Sequence, residues 1–209
     1  MSAVGQAAAT PISTPHIGLF RNIAADVKRA ALDRNIGLTE EDLSWSQSFR
    51  AFCRLTTQVV VAYRLIHGLQ RLRIPILRQI LLIPAGLYES LLRVLTGVCI
   101  DPRAEIGPGL LVHTPYGVLV GGTRIGANCT VQTGVLIPAG SRGIGDNVYF
   151  GAGAKVIADT KIGNNVVIVA NSLVLTDVAD NTTIVGVPAR IRLRGGRPQR
   201  FKRVVPKAD

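Results

Sequence analysis

The sequence predicts a mainly β protein: a parallel β-helix wound from hexapeptide units and preceded by an α-helical region. Three observations predict it. From Ile100 onward an aliphatic or aromatic residue recurs at every sixth position with two one-residue slips, through Ile100, Ile106, Val112, Leu119, Ile125, Val131, Ile137, Ile144, Phe150, Val156, Ile162, Ile168 and Val174. That period fits neither the 3.6 of a helix nor the 2 of a strand. It fits a solenoid in which each hexad makes one short strand and one corner. Small or polar residues recur where the chain must bend, as at Gly107 to Gly109, Gly121 to Gly122, Gly126 to Asn128, Gly151 to Gly153 and Gly163 to Asn165. Glycine and asparagine tolerate the left-handed backbone such corners need. Upstream, residues 18–97 carry apolar side chains at helical spacing.

The elements follow in order. Residues 1–17 read as a flexible leader, with neither the basic start nor the apolar core of a secretory signal. Leu19 to Leu32 has helical spacing. Thr39 to Asp42 reads as a helix start, Thr39 being the N-cap with acidic residues in the first turn. Gln58 to Leu72 continues the pattern, and Pro75 and Pro84 punctuate the last helical run. The stretch from Ile74 to Leu95 is very apolar, yet Arg78, Glu89 and Arg93 interrupt it. It therefore reads as a helix buried against a partner subunit rather than one spanning a bilayer; the basic helices also allow peripheral membrane contact. Residues 98–190 form the β-helix of four to five turns, with three hexads to a turn. Slips fall at Tyr116 and at Ser141 to Gly143, and an extra residue in a solenoid must bulge outward. Residues 191–209 are a basic tail.

Composition narrows the function classes. The 209 residues carry a net charge of +11, which suits nucleic acid, an acidic surface or a phosphorylated ligand. The cations are not interleaved with exposed aromatics, so a nucleic-acid platform is not expected. The three cysteines, Cys53, Cys99 and Cys129, are odd in number and lack CxxC spacing, which points to a reducing cytoplasm, no disulfide and no metal.

The candidate catalytic residue is His113. It follows inward-facing Val112 and therefore points outward from its strand. An imidazole titrating near neutrality suits it as a general base. One coil further on, Gln132 falls on the same position, where its amide can place an acceptor or donate to an oxyanion. Asp101, the nearest acidic residue in sequence, sits two hexads earlier on another face, so it orients His113 only across a subunit boundary; a backbone carbonyl is the alternative. His67 reads as structural.

Several motifs together resemble the serine acetyltransferase branch of the hexapeptide acyltransferases. They are Tyr63 to Leu65 with His67, Thr96 to Pro102, Val112-His113 with Gly117 to Gly121, Gln132, GAGAK at 151–155 and GVPAR at 186–190. The resemblance implies a left-handed β-helix assembled as a homotrimer, or as a dimer of trimers held by the N-terminal helices. It implies acetyl-coenzyme A bound between neighbouring subunits and transfer of acetyl to a hydroxyl. Gly151, Ala152 and Ala170 are then candidate corners for the pantetheine arm, and Lys155 and Arg190 candidate phosphate ligands. Three departures bear on the acceptor. Where the family usually carries Asp, this chain has Cys99 and Val112, and its loop at Ser141 to Gly143 is shortened, keeping Arg142 but no histidine. An ammonium buried without a carboxylate is costly, so a sugar or polysaccharide hydroxyl stands beside L-serine as acceptor. A catalytically silent scaffold that assembles with a partner enzyme is the alternative from another class.

Overall fold

A computed structural model describes residues 18–34 and 43–194. The leader, the helix start at Thr39 and the tail beyond residue 194 lie outside the described residues.

Four helices come first. α1 (Leu19–Arg34) buries Asp26, Ala30 and Ala31 on one face. α2 (Trp45–Phe52) starts at Ser44, whose backbone N–H donates to Gln47 Oε1 at 2.9 Å. α3 (Leu55–Gln70) is buried along most of its length between Thr57 and Ile66. α4 (Pro75–Thr96) begins with proline at its first turn and runs through Pro84 without ending. It stops at Gly97, whose φ of 65° lets its N–H return to Arg93 O at 2.7 Å. Pro75 therefore begins the helix and Pro84 is an interior residue of it.

The coil follows as thirteen two-residue strands: β1 (Cys99–Ile100), β2 (Glu105–Ile106), β3 (Leu111–Val112), β4 (Leu119–Val120), β5 (Arg124–Ile125), β6 (Thr130–Val131), β7 (Leu136–Ile137), β8 (Gly143–Ile144), β9 (Tyr149–Phe150), β10 (Lys155–Val156), β11 (Lys161–Ile162), β12 (Val167–Ile168) and β13 (Leu173–Val174). Every third strand pairs in parallel, giving three sheets: β1-β4-β7-β10-β13, β2-β5-β8-β11, and β3-β6-β9-β12 extended by β14 (Thr182–Val185) and β15 (Arg190–Arg194). β14 and β15 pair antiparallel and close the far end. Strand β15 takes in residues 191–194, which the sequence assigned to the tail.

The inward series is the expected one with one correction. Ile100, Ile106, Val112, Ile125, Val131, Ile137, Ile144, Phe150, Val156, Ile162, Ile168 and Val174 are all buried. At the fourth position, however, the inward residue is Val120 (4% exposed), while Leu119 is 46% exposed. The register explains the shift, because Ile100 pairs with Val120 and Val120 with Ile137. The loop after β3 thus holds two extra residues, and the next corner, at Gly121 and Gly122, is one residue short. A one-residue change in a period-two strand exchanges inside for outside.

Corner chemistry repeats from coil to coil. Asn128, Asn147, Asn165 and Asn181 all have φ near 55°, and Asn147 to Asn165 and Asn165 to Asn181 are joined by amide hydrogen bonds of 3.2 and 3.0 Å. Gly126 marks a corner where successive coils touch, since a Cβ there would lie 2.6 Å from the carbonyl carbon of Gly145.

The helices cover the first coil. Tyr63 Oη donates to Ala104 O at 2.7 Å, and burial pushes the phenol up to about 12. Arg64, 3% exposed, donates to Ile106 O and Gly107 O at 2.5 and 2.6 Å and pairs with Asp26 at 2.9 Å. Asp26 in turn accepts the Leu110 N–H at 2.8 Å. These bonds satisfy backbone groups at the coil's open end that would otherwise be buried without partners.

Candidate active site

His113 follows β3, the edge strand of its sheet. Val112 is 2% exposed and fills the bore, so His113 faces outward, as expected from the alternation of strand side chains. Its backbone N–H donates to Val131 O at 3.0 Å. Because Val112 pairs with Val131 and Val131 with Phe150, the residues that follow stack as His113, Gln132 and Gly151 on three successive coils. Thr114 Oγ1 lies 3.3 Å from His113 Nδ1.

Within one chain the neighbour of the imidazole is Asp33 rather than Asp101 or a carbonyl. Asp33 Oδ2, near the C-terminal end of α1, lies 3.4 Å from His113 Nε2, and the two side chains are 31% and 29% exposed. Asp101 instead holds Arg103 at 2.8 Å, and that guanidinium keeps its carboxyl below the usual range. Asp33 is 80 residues from His113, and the sequence reading did not single it out. One signal was present: Asp26, Arg29 and Asp33 lie on one face of α1 together with the buried Ala30. Charged residues on the packed face of a helix call for partners.

The other predicted residues separate. Gly151 is buried, and a Cβ there would lie 2.5 Å from Ala170 N, so close coil packing alone requires a glycine. Ala152 is half-buried and accepts the Asn171 N–H at 2.8 Å. Ala170 is exposed at the corner one coil beyond. Lys155 is exposed on β10, in the β1-β4-β7-β10-β13 sheet, one face away from His113. Arg190 is exposed at the start of β15. The shortened loop points elsewhere as well: Arg142 is bound to Asp177 at 2.5 Å and to Asp159 O at 2.9 Å on the β2-β5-β8-β11 sheet.

Other titratable groups are structural. His67 Nδ1 lies 2.7 Å from Pro102 O, and burial holds the imidazole below its ordinary value. Burial pushes the Cys129 thiol up to about 12, which leaves no thiolate for nucleophilic work. Among the described residues no group of three His, Cys, Asp or Glu side chains is arranged to hold a metal ion, and no helix is long and apolar enough to cross a membrane. The site therefore offers an imidazole between a carboxylate and a hydroxyl, a carboxamide stacked above it, and a glycine-rich corner beyond. Such a set can take a proton from a hydroxyl and supply a donor to a developing oxyanion.

Residues 143–176 match the family model for the bacterial transferase hexapeptide (six repeats). A serine acetyltransferase of Synechococcus elongatus is 37% identical over 147 residues, covering 66% of this chain and 57% of that protein. One of Staphylococcus xylosus is 37% identical over 154 residues, covering 69% and 71%. The chain thus spans little more than half of the first relative and over two thirds of the second. Among solved structures, the Neisseria gonorrhoeae serine acetyltransferase in complex with serine superposes with a TM-score of 0.64 at 28% identity, covering 83% of this chain and 68% of that one. A serine acetyltransferase complex with CoA gives 0.65 at 26% identity, covering 83% and 69%. With the hexad coil, the outward histidine and this extent of similarity established, the chain belongs to the serine acetyltransferase family.

Proposed function

We propose that the protein is an acetyl-coenzyme A-dependent O-acetyltransferase with L-serine as acceptor and His113 as general base. The observation that carries this reading is the Asp33–His113 pair. The sequence left the acceptor open because Cys99 and Val112 replace the family's usual carboxylates. Asp33 supplies a carboxylate from another element. The hydroxyl and ammonium of serine sit on adjacent carbons, which suits a base and a carboxylate 3.4 Å apart. A saccharide hydroxyl brings no ammonium for Asp33 to meet, and the named relatives are serine acetyltransferases. A silent scaffold would have no need of the pair.

In this mechanism an imidazole nitrogen of His113 takes the serine hydroxyl proton as the oxygen attacks the acetyl carbonyl carbon. The Gln132 amide donates to the oxyanion. The C–S bond then breaks, and the departing thiolate takes the proton back from the imidazolium. Gly151, Ala152 and Ala170 would line the pantetheine arm, and Lys155 and Arg190 would meet the phosphates. Because Lys155 lies one face away from His113, the donor lies along a corner of the coil and needs a second wall. A neighbouring copy in a homotrimer would provide it. The exposed Leu119, Ile157 and Leu175, which lie in or directly after strands of the Lys155 sheet, support such packing. A cytoplasmic setting fits the free thiols of Cys53, Cys99 and Cys129.

The test is thiol release from acetyl-coenzyme A in the presence of L-serine, D-serine, nucleotide sugars and oligosaccharides. L-serine should be the preferred acceptor, and His113→Ala should lower kcat by about 10²–10⁴-fold. Turnover of a saccharide in preference to serine would overturn the acceptor, and full activity of His113→Ala would overturn the base.

A further inference from the structure

We propose that Arg29 is a positioning residue: it clamps α1 across the first two coils and so fixes Asp33 against His113. Arg29 lies one helical turn before Asp33. Its Nη1 donates to Gly109 O and, at 2.9 Å, to Cys129 O. Its Nη2 donates to Thr130 Oγ1 at 2.7 Å. Gly109 precedes β3, whereas Cys129 and Thr130 belong to the next coil, directly before the Val131-Gln132 pair that stacks on Val112-His113. One planar guanidinium thus joins the helix to both coils that carry the site. Asp26 secures the same helix one turn earlier through Leu110 N and Arg64. That buried pair holds the N-terminal half of α1; past it Arg54 donates to Ala30 O at 3.1 Å from the start of α3, and Arg29 ties the half that carries Asp33 to the two coils of the site. Without Arg29 the Asp26 and Arg64 contacts still tie α1 to the coil, but the angle at which Asp33 meets the imidazole is lost. A carboxylate displaced by an ångström loses much of its effect on a bound cation.

The serine-binding part of this inference rests on the proposed function; the positioning part does not. Two readouts keep them apart. The first is the rate at which diethyl pyrocarbonate modifies His113, followed by mass spectrometry, with His67 as internal reference. Arg29→Gln should change the His113 rate by the same factor as Asp33→Asn, the double variant should go no further, and His67 should be unaffected. The second is steady-state kinetics. Arg29→Gln should raise KM for L-serine about tenfold and leave KM for acetyl-coenzyme A unchanged. An unchanged His113 rate, a parallel change at His67, or factors that multiply in the double variant would overturn the proposal. Should Arg29→Gln fail to fold, Thr130→Val removes one of its acceptors on the coil and should shift the His113 rate in the same direction; no shift overturns the proposal. If the wild type does not acetylate serine, the functional reading fails, while the modification rates still decide the role of Arg29.

Discussion

Replacing Asp33 with asparagine removes one charge and keeps the shape of the side chain, which makes it the sharpest probe of the acceptor. The carboxylate is 31% exposed, so water screens part of its field. A fully buried charge-assisted hydrogen bond is worth about 1.5–3 kcal/mol, and partial exposure brings the expected loss to about 1.5 kcal/mol. That corresponds to about a tenfold fall in kcat/KM for L-serine. The comparison acceptor is 3-hydroxypropionate, which keeps the hydroxyl and carboxylate of serine and lacks the ammonium. Its turnover should fall less than that of L-serine, because it loses only what the carboxylate does for the imidazole and has no ammonium contact to lose. The assay is thiol release at saturating acetyl-coenzyme A with each acceptor varied. An equal fall for both acceptors would mean that Asp33 acts only through His113, and the ammonium assignment would be wrong. No fall for either would remove Asp33 from the site.

Three further predictions concern the scaffold. His67 is held below its ordinary value of 6.5 by burial, so the folded protein binds fewer protons there than the unfolded chain. Its contribution to stability is complete above pH 6.5 and is lost as pH falls through the lowered folded value. The melting temperature should drop between pH 7.5 and 5, and His67→Gln should flatten that slope. Gly126→Ala would place a Cβ 2.2 Å from Asp146 Oδ1 and 2.7 Å from Asp146 N, for a loss of about 3 kcal/mol in chemical denaturation. Gly86→Ala in the middle of α4 meets nothing within 4 Å and should gain about 0.5–1 kcal/mol.

The coil was legible because its rule is local. Each hexad repeats the same demand, an apolar residue inward and a small or polar one at the bend, so the pattern is visible without knowing what lies across the bore. Leu119 was misread where that rule is suspended. The loop after His113 carries two extra residues, the corner at Gly121 is one short, and both Leu119 and Val120 satisfy an apolar template, so only the pairing of Val120 with Ile100 and Ile137 decides between them. His113 and Gln132 could be placed by counting, since the register fixes one residue per coil. Asp33 could not, because the docking of α1 depends on Asp26, Arg29 and Arg64 finding carbonyls and an N–H at 106–110, the carbonyl of Cys129 and the hydroxyl of Thr130, contacts with no sequence period.

The position of His113 on the edge strand explains why a helix completes the site. In the interior of the solenoid an outward side chain has a coil above and a coil below, and the register places the same kind of corner or ladder on both sides. The asparagine stack from Asn147 to Asn181 is what such a setting produces. That stack repeats one chemistry from coil to coil. At β3 the ladder ends. Gln132 occupies the one neighbouring coil, and the other side is open to whatever the helices present. There α1 supplies a carboxylate to which no hexad rule applies. The N-terminal region then does more than cap the coil: it places the Asp33 carboxylate beside His113.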